Sequence, residues 1–126
     1  MIDEIMSGHI RRRGGVGVIC DGAIRDVATL ASWSDFSVFT RSVTARGPLS
    51  ANRGAVNIPV FVGGCRVARG DLLIGDDDGL AVLSPSAVRN RILDAELKLA
   101  QEAEWKASLT SGRSARETFG LEKPTP

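Results

Sequence analysis

The stretch that decides the fold is Gly15-Val-Gly-Val-Ile-Cys-Asp-Gly-Ala-Ile-Arg-Asp26. Its first half is apolar and β-branched, which predicts a buried strand over residues 15–20 that ends at Asp21-Gly22. From Asp26 onward the apolar spacing becomes helical, with Asp26 at the N-cap or in the first turn. The stretch therefore predicts a strand end that leads through a glycine turn into the start of a helix.

Further elements are predicted on both sides of this stretch. Residues 3–13 have helical apolar spacing and close on three arginines and a glycine, which predicts a short helix with a cationic last turn. Residues 36–44 favour a strand, and residues 45–54 favour a long loop. Short apolar runs separated by glycine-containing turns then predict a β-meander with strands at 59–62, 65–67, 71–74 and 80–83.

The last third of the chain changes to a period of 3.6 residues. Ser84 can cap a helix and Pro85 fits its first position, and the helix is predicted to end near Gly112. Ser114 and Glu117 have the spacing of a capping box, which predicts a further short helix. One apolar stripe should run along the long helix, formed by Val88, Ile92, Ala95, Leu99 and Ala103.

Composition indicates one globular domain. The chain has 126 residues, of which 43% are hydrophobic and 25% charged. The net charge of +1 gives no overall field that would attract nucleic acid or a membrane surface. Cys20 and Cys65 stand in apolar stretches, which predicts two buried thiols in a reducing compartment. No signal peptide and no membrane-spanning run is recognisable, so we expect a cytoplasmic protein.

The sequence favours a ligand-binding or catalytic site at Asp21-Gly-Ala-Ile-Arg-Asp26. Backbone N–H groups at a helix start and the fork of Arg25 favour a carboxylate or phosphate, and Asp26 or Asp21 could hold a hard divalent ion through one oxygen. The alternative is structural: an N-cap aspartate beside an arginine that pairs with a neighbouring acid.

Three other features have simpler interpretations. Asp76, Asp77 and Asp78 lack the ligand spacing of a calcium loop and predict a tight hairpin turn. His9 has no partner at ligand spacing. Glu102 falls about 60° from the centre of the apolar stripe, so it either pairs with an arginine or faces a subunit interface.

Four motifs in order carry a resemblance to a known family: Gly17-Val-Ile-Cys-Asp-Gly-Ala-Ile-Arg-Asp26, Val38-Phe-Thr-Arg-Ser-Val-Thr-Ala-Arg-Gly-Pro48, Asn57-Ile-Pro-Val-Phe-Val-Gly-Gly64 and Gly70-Asp-Leu-Leu-Ile-Gly-Asp-Asp-Asp-Gly79. Together they resemble the 4-hydroxy-4-methyl-2-oxoglutarate aldolases and their relatives, the regulator of ribonuclease E activity A (RraA-like) proteins. The match runs from about residue 3 to Leu121.

The resemblance implies an α/β fold of the swivelling β/β/α type with a long C-terminal helix. Members usually carry several dozen residues before the matched part, so it implies a domain shortened at its N-terminus, over residues 1–121, with a tail at 122–126. It also implies a homotrimer with sites between subunits.

The implied activity is that of a class II aldolase, a lyase that depends on Mg²⁺ or Mn²⁺. Such an enzyme cleaves 4-hydroxy-4-methyl-2-oxoglutarate to pyruvate, with oxaloacetate decarboxylase activity on the side. The partners implied are a small keto acid and other copies of the chain, not nucleic acid or membrane.

Roles follow from the resemblance residue by residue. Arg25 binds the pyruvate moiety and Asp26 holds the metal. Glu4 stands at an acidic position that helps to orient a catalytic water, and Glu102 matches a glutamate contributed by the neighbouring subunit. A substrate-binding loop matches Asp3, Glu4, Ile5 and Met6. Asp3 stands where glycine is usual, and Thr29 where an acid is frequent.

Two other functions remain open. One is a non-catalytic RraA-like binding protein that inhibits ribonuclease E, and the other is an inactive fragment of the aldolase. The intact pair Arg25-Asp26 favours the enzyme, because typical ribonuclease regulators lack this pair.

Overall fold

The computed structural model describes residues 1–48 and 54–122. Two compact units divide the chain, Met1–Arg69 and Gly70–Pro126. The prediction of a single domain over residues 1–121 stays a prediction, and part of the predicted loop and most of the predicted tail lie outside the described residues. The elements are α1 (Glu4–Arg12), β1 (Gly17–Ile24), α2 (Val27–Ala31), β2 (Ser37–Val43), β3 (Val60–Val62), β4 (Cys65–Val67), β5 (Leu72–Asp76), β6 (Gly79–Leu83), α3 (Pro85–Thr110) and α4 (Ala115–Phe119).

In the first unit, β1 and β2 run parallel, and α2 lies in the connection between them. The predicted strand end at Asp21 is wrong, because β1 continues to Ile24. A shift in the pairing register between Cys20 and Ala23 accommodates Asp21 and Gly22 within the strand as an irregularity instead of a turn. The residues that follow the strand are therefore Arg25 and Asp26.

The core of this unit lies beside α2. Ile24, Leu30 and Phe36 are its buried apolar side chains. Trp33 packs edge-on against Phe36 with the ring centroids 5.8 Å apart. The guanidinium of Arg11 lies 4.9 Å from the centre of the Trp33 ring, so the predicted cationic end of α1 packs against the segment that follows α2.

The short strands form hairpins in place of the predicted continuous meander. β3 pairs antiparallel with β4, and β5 with β6, each as a two-stranded sheet. The expected strand positions are confirmed to within two residues. The tight turn predicted at Asp76–Gly79 is also confirmed, and the Asp78 N–H donates to Asp76 Oδ1 at 2.9 Å across it.

The second unit contains the predicted long helix. Ser84 caps α3 by accepting from the Ala87 N–H at 3.2 Å, and Pro85 occupies its first turn. The capping box of Ser114 and Glu117 is confirmed at the start of α4. α4 returns against α3 through Trp105 and Phe119, whose ring centroids are 5.1 Å apart. None of the 26 residues of α3, all of them described, is buried, so the predicted stripe is not covered.

The two thiols differ in exposure. Cys20 is half-buried and contacts the Ala23 carbonyl oxygen at 3.7 Å, whereas Cys65 is exposed. The prediction of two buried thiols is therefore wrong for Cys65, because both strands of its hairpin are largely exposed.

Among the helices in residues 1–48 and 54–122, none has the length and apolar character needed to cross a membrane.

Candidate functional site

Arg25 and Asp26 lie between the end of β1 and the start of α2. Asp26 has φ 60° and ψ 37°, a left-handed backbone conformation that aspartate tolerates better than most residues. It occupies the predicted N-cap position of α2, yet its side chain makes no capping hydrogen bond. The Asp26 carboxylate therefore does not cap α2.

One oxygen of the Asp26 carboxylate faces donors from both neighbouring segments. Oδ2 accepts from the Glu4 backbone N–H at 3.4 Å and lies 3.5 Å from Arg25 Nε. Within the described part of the chain, Oδ1 has no recorded partner. Because the side chain is 36% exposed, this second oxygen can take a ligand from solution.

The Arg25 guanidinium lies between two carboxylates. Its Nη2 donates to Asp3 Oδ2 at 2.7 Å, while Nε is buried and makes no hydrogen bond with the described residues. On the Nη1 side, a Cβ added at Gly47 would lie 3.8 Å away, so the chain leaves room beside that nitrogen. The structural alternative for Arg25 is thus confirmed in part, since it does pair with an acid, and that acid is Asp3.

The segment before α1 is held against β1 by backbone hydrogen bonds. The Ile2 N–H donates to the Ala23 carbonyl and the Arg25 N–H donates to the Ile2 carbonyl, both at 3.2 Å. This parallel bridge to the end of β1 brings Asp3 and Glu4 beside Arg25 and Asp26.

The residues described by the resemblance as a substrate loop have helical structure. Asp3 is the N-cap of α1 and accepts from the Met6 N–H at 3.0 Å, and Glu4, Ile5 and Met6 form the first turn. An aspartate at this position satisfies a free N–H of the helix, and the function in substrate binding that the resemblance gives these four residues stays a prediction. The pKa of Asp3 lies below its usual range. The main cause is the hydrogen bond from the Met6 N–H, and the second is the Arg25 guanidinium.

An open cavity of about 390 Å³ adjoins the pair. Its lining comes from the start of α2 and from the end of β2, and comprises Arg25, Asp26, Val27, Val43, Thr44 and Ala45. The Thr44 N–H donates to the Ile24 carbonyl at 2.9 Å, which holds the two segments together. Sequence reasoning did not assign residues 43–45 to the site. The signal was present, because the ends of two parallel strands lie at the same edge of a sheet.

Comparison with known proteins identifies the family. The family model described as Aldolase/RraA matches residues 1–82. The chain belongs to the RraA-like family. A solved structure of an uncharacterized protein from Pseudomonas syringae pv. tomato superposes with a TM-score of 0.80 at 23% identity, over 93% of this chain and 58% of that one. The fold is accordingly the RraA-like fold, with a long C-terminal helix.

Two curated relatives have informative names. A protein of Thermus thermophilus named 4-hydroxy-4-methyl-2-oxoglutarate aldolase is 30% identical over 92 residues, 68% of this chain. A Halalkalibacterium halodurans protein, to which the same name is given provisionally, is 28% identical over 120 residues, 95% of this chain. This RraA-like chain spans 56% of the length of each relative.

Asp21, the alternative metal ligand, has both oxygens engaged. Oδ1 forms an ion pair with Arg41, and Oδ2 accepts from the Gly63 N–H at 3.2 Å. These contacts lower the pKa of Asp21, with the Arg41 guanidinium as the main cause. Asp21 therefore connects β1 to β2 and to the β3–β4 turn, and we assign it a structural role.

Glu102 lies on α3 in the second unit, where it is partly exposed. The function that the resemblance gives it, as a residue contributed to a neighbouring subunit, stays a prediction. Glu4 is half-exposed, and its carboxylate has no recorded partner within residues 1–48 and 54–122.

The residues that line the cavity fit a divalent cation that needs only one or two protein ligands. No group of three or more His, Cys, Asp or Glu side chains arranged to hold a metal occurs in the described residues. Mg²⁺ needs no such group, since it is commonly held by one or two carboxylates and completes its shell with water and substrate oxygens. Asp26, whose Oδ1 is available while Oδ2 accepts from the Glu4 N–H and lies 3.5 Å from Arg25 Nε, suits that role.

Proposed function

We propose that this chain carries the keto-acid site of a divalent-metal-dependent aldolase that cleaves 4-hydroxy-4-methyl-2-oxoglutarate to pyruvate. Oxaloacetate decarboxylation is the second reaction we propose for it. The observation that carries the proposal is that the Arg25 guanidinium and an Asp26 carboxylate with one available oxygen adjoin the same open cavity. The relatives' names support the substrate, and the activity of the complete enzyme is part of the proposal.

In this mechanism Arg25 binds the carboxylate of the keto acid through its planar fork of N–H donors. Burial of Nε restricts the orientation of the fork before the substrate arrives. Val27 and Val43 supply apolar walls to the cavity, which favours a small substrate with one charged end.

Asp26 holds the cation in this proposal. When bound there, Mg²⁺ or Mn²⁺ would supply Lewis-acid stabilisation of the negative charge that carbon–carbon cleavage leaves on pyruvate. The Glu4 N–H donates to Oδ2 and Arg25 Nε lies 3.5 Å from it, so these groups orient the carboxylate that would hold the cation and leave Oδ1 available. A Schiff-base route is not offered by the first unit, because residues 1–69 contain no lysine.

Glu4 and Glu102 are the proposed acid–base groups. Glu4 stands at the start of α1, where its backbone already contacts Asp26, and its carboxylate orients the reacting water. Glu102 is proposed to act from a neighbouring copy in a homotrimer. The exposed apolar side chains of α3, among them Leu93, Leu97 and Leu99, support an assembly through this helix.

The test follows pyruvate with a coupled dehydrogenase after addition of oxaloacetate or the hydroxymethyl substrate and Mg²⁺ or Mn²⁺. Metal without protein is run alongside, because these ions decarboxylate oxaloacetate by themselves. We expect Asp26→Asn and Arg25→Lys to lower the protein-dependent rate at least about a hundredfold. Asp35→Asn is the matched control, since it removes an aspartate paired with Arg11 in the same unit and should retain the rate.

A folded chain that releases no pyruvate above the metal blank would contradict the proposed lyase. An equal loss of activity in Asp35→Asn would mean that the variants act through folding. If pyruvate release is absent, inhibition of ribonuclease E by the same preparation becomes the measurement that separates a binding protein from an inactive fragment.

A further inference from the structure

The Asp3 carboxylate makes the contacts that a bound carboxylate would make. Oδ2 accepts from Arg25 Nη2 at 2.7 Å, and Oδ1 accepts from the Met6 N–H at the start of α1 at 3.0 Å. Both are donors of the kind that proteins use to bind anions, a guanidinium and the N-terminus of a helix. Only 14% of the Asp3 side chain is exposed, so this carboxylate is well enclosed by its partners.

We propose that Asp3 is a built-in competitor of the substrate carboxylate for Arg25. The inference rests on the proposed function, because it takes Arg25 as the group that binds the keto acid. It reverses the role expected for Asp3 from the resemblance, since the side chain weakens substrate binding instead of contributing to it.

The charges around the guanidinium support this interpretation. Arg25 is flanked by the carboxylates of Asp3 and Asp26, so one positive charge faces two negative charges. A keto-acid carboxylate that reaches Nη2 must either displace Asp3 or lie within a few ångströms of its negative charge. Because the Arg25 side chain is 32% exposed, solvent screens this repulsion to the scale of a surface ion pair, which still weakens substrate binding.

If Asp3 positioned Arg25 instead, its removal would change the affinity for the substrate in the opposite direction. If Asp3 served mainly to position Arg25 for the substrate, loss of its charge would leave the guanidinium less ordered and would weaken substrate binding. The sign of the change in affinity therefore separates competition from positioning.

Asp3→Asn is the decisive variant. Asparagine caps helices as well as aspartate does, so the bond to the Met6 N–H can be kept while the negative charge beside Arg25 is removed. Asp3→Ser is the second variant, because serine also caps a helix but is too short to hold Arg25. Asp35→Asn again serves as the control, since it breaks the corresponding Arg11–Asp35 pair away from the cavity.

The first measurement is a titration with pyruvate at one fixed Mg²⁺ concentration, followed by the amide chemical shifts of Met6 and Arg25. We expect Asp3→Asn and Asp3→Ser to bind pyruvate roughly two- to tenfold more tightly than the wild type, the scale of a partly exposed ion pair. Asp35→Asn should bind pyruvate as the wild type does.

The second measurement needs no keto acid. Phenylglyoxal modifies arginine side chains, and the rate at Arg25 is followed by peptide mass spectrometry. Release of the guanidinium from Asp3 should raise that rate roughly twofold or more in both Asp3 variants, and not in Asp35→Asn.

The outcomes distinguish this inference from the function on which it rests. Tighter pyruvate binding together with faster labelling supports both. Faster labelling without pyruvate binding by any variant keeps Asp3 as the occupant of Arg25 and rejects the keto-acid site. Where the wild type binds pyruvate, unchanged or weaker binding in either Asp3 variant overturns the inference, and labelling at the wild-type rate overturns it in every case.

Discussion

The two compact units differ in how they hold their apolar side chains. In the first, Leu30 and Phe36 are 4% and 5% exposed, whereas in the second Leu97 and Leu99 on α3 are 71% and 70% exposed. The first unit therefore depends on packing for its stability. The second depends on the caps of its helices, the β5–β6 hairpin and the ring contact between α3 and α4. The proposed site lies on the unit that has a core of its own, which gives Arg25 and Asp26 a packed support.

Truncation of a core leucine should have the largest effect. Leu30→Ala removes a side chain buried beside Ile24 and Phe36, and we expect the free energy of unfolding to fall by about 2–5 kcal/mol. Chemical denaturation followed by the indole N–H signal of Trp33, which packs on Phe36, measures the change.

Leu97→Ala is the matched control in the second unit. Since its side chain is 71% exposed in the single chain, the same truncation should change the free energy of unfolding by less than about 0.5 kcal/mol at a protein concentration too low for assembly. Equal losses in the two variants would contradict the contrast between the units and would show that the apolar face of α3 is covered in solution.

The next largest loss of stability should come from a side chain added at Gly17, where β1 lies close to the backbone of β2. A Cβ at Gly17 would lie 2.6 Å from the Ser37 carbonyl oxygen, where β1 begins its pairing with β2. Gly17→Ala must therefore push the strands apart, and we expect a loss of about 1–3 kcal/mol in a urea titration.

Gly22→Ala separates this close contact from the general effect of replacing a strand glycine. Its added Cβ would meet Cys20 Sγ at an ordinary 3.7 Å, so this variant should remain near wild-type stability. If Gly22→Ala proved as harmful as Gly17→Ala, the register irregularity at residues 20–23 would be the sensitive feature instead of the Gly17 contact.

Local patterns were sufficient to predict most of the elements. Ser84-Pro85 marked the start of α3, and the spacing of Ser114 and Glu117 marked α4, because a cap depends on side chains three residues apart. The cationic end of α1 was predicted from another local pattern, the run Arg11-Arg12-Arg13 before Gly14.

Long-range pairing explains what the sequence could not predict. The end of β1 was misplaced because Asp21-Gly22 has the composition of a turn, and the β2 partner and Arg41 that hold it in a strand are distant in sequence. The same holds at the site. The resemblance predicted that Asp3 belongs to one site with Arg25 and Asp26, but the Asp3–Arg25 ion pair and the approach of Val43–Ala45 depend on a backbone bridge and a parallel strand pair.

Loss of the α3 cap should have an intermediate effect, confined to the second unit. Ser84→Ala leaves the Ala87 N–H without its acceptor, which should cost about 1 kcal/mol of stability. Amide hydrogen exchange in the first turns of α3 measures it, and Ser84→Asp should restore the protection. Equal loss of protection in α1 would mean that the effect is not local.

The smallest expected effect is a pH dependence of α4. Hydrogen bonds from the Ser114 hydroxyl and from its backbone N–H lower the pKa of Glu117. A depressed carboxyl pKa contributes stability at pH values above the unfolded-state pKa, and that contribution disappears as the pH falls through the lower, folded-state pKa. Acidification below about pH 4 should therefore loosen α4 from α3.

The indole N–H signals of Trp105 and Trp33 report on the two units separately, because Trp105 contacts Phe119 of α4 and Trp33 lies under Arg11. In Glu117→Gln, which keeps the form of a capping box without the charge, the Trp105 signal should lose its acid dependence. The Trp33 signal should keep its own, because Arg11 lowers the pKa of Asp35 independently of α4. Loss of acid dependence at both indoles would mean that the two units respond to protonation together, against the contrast drawn between them.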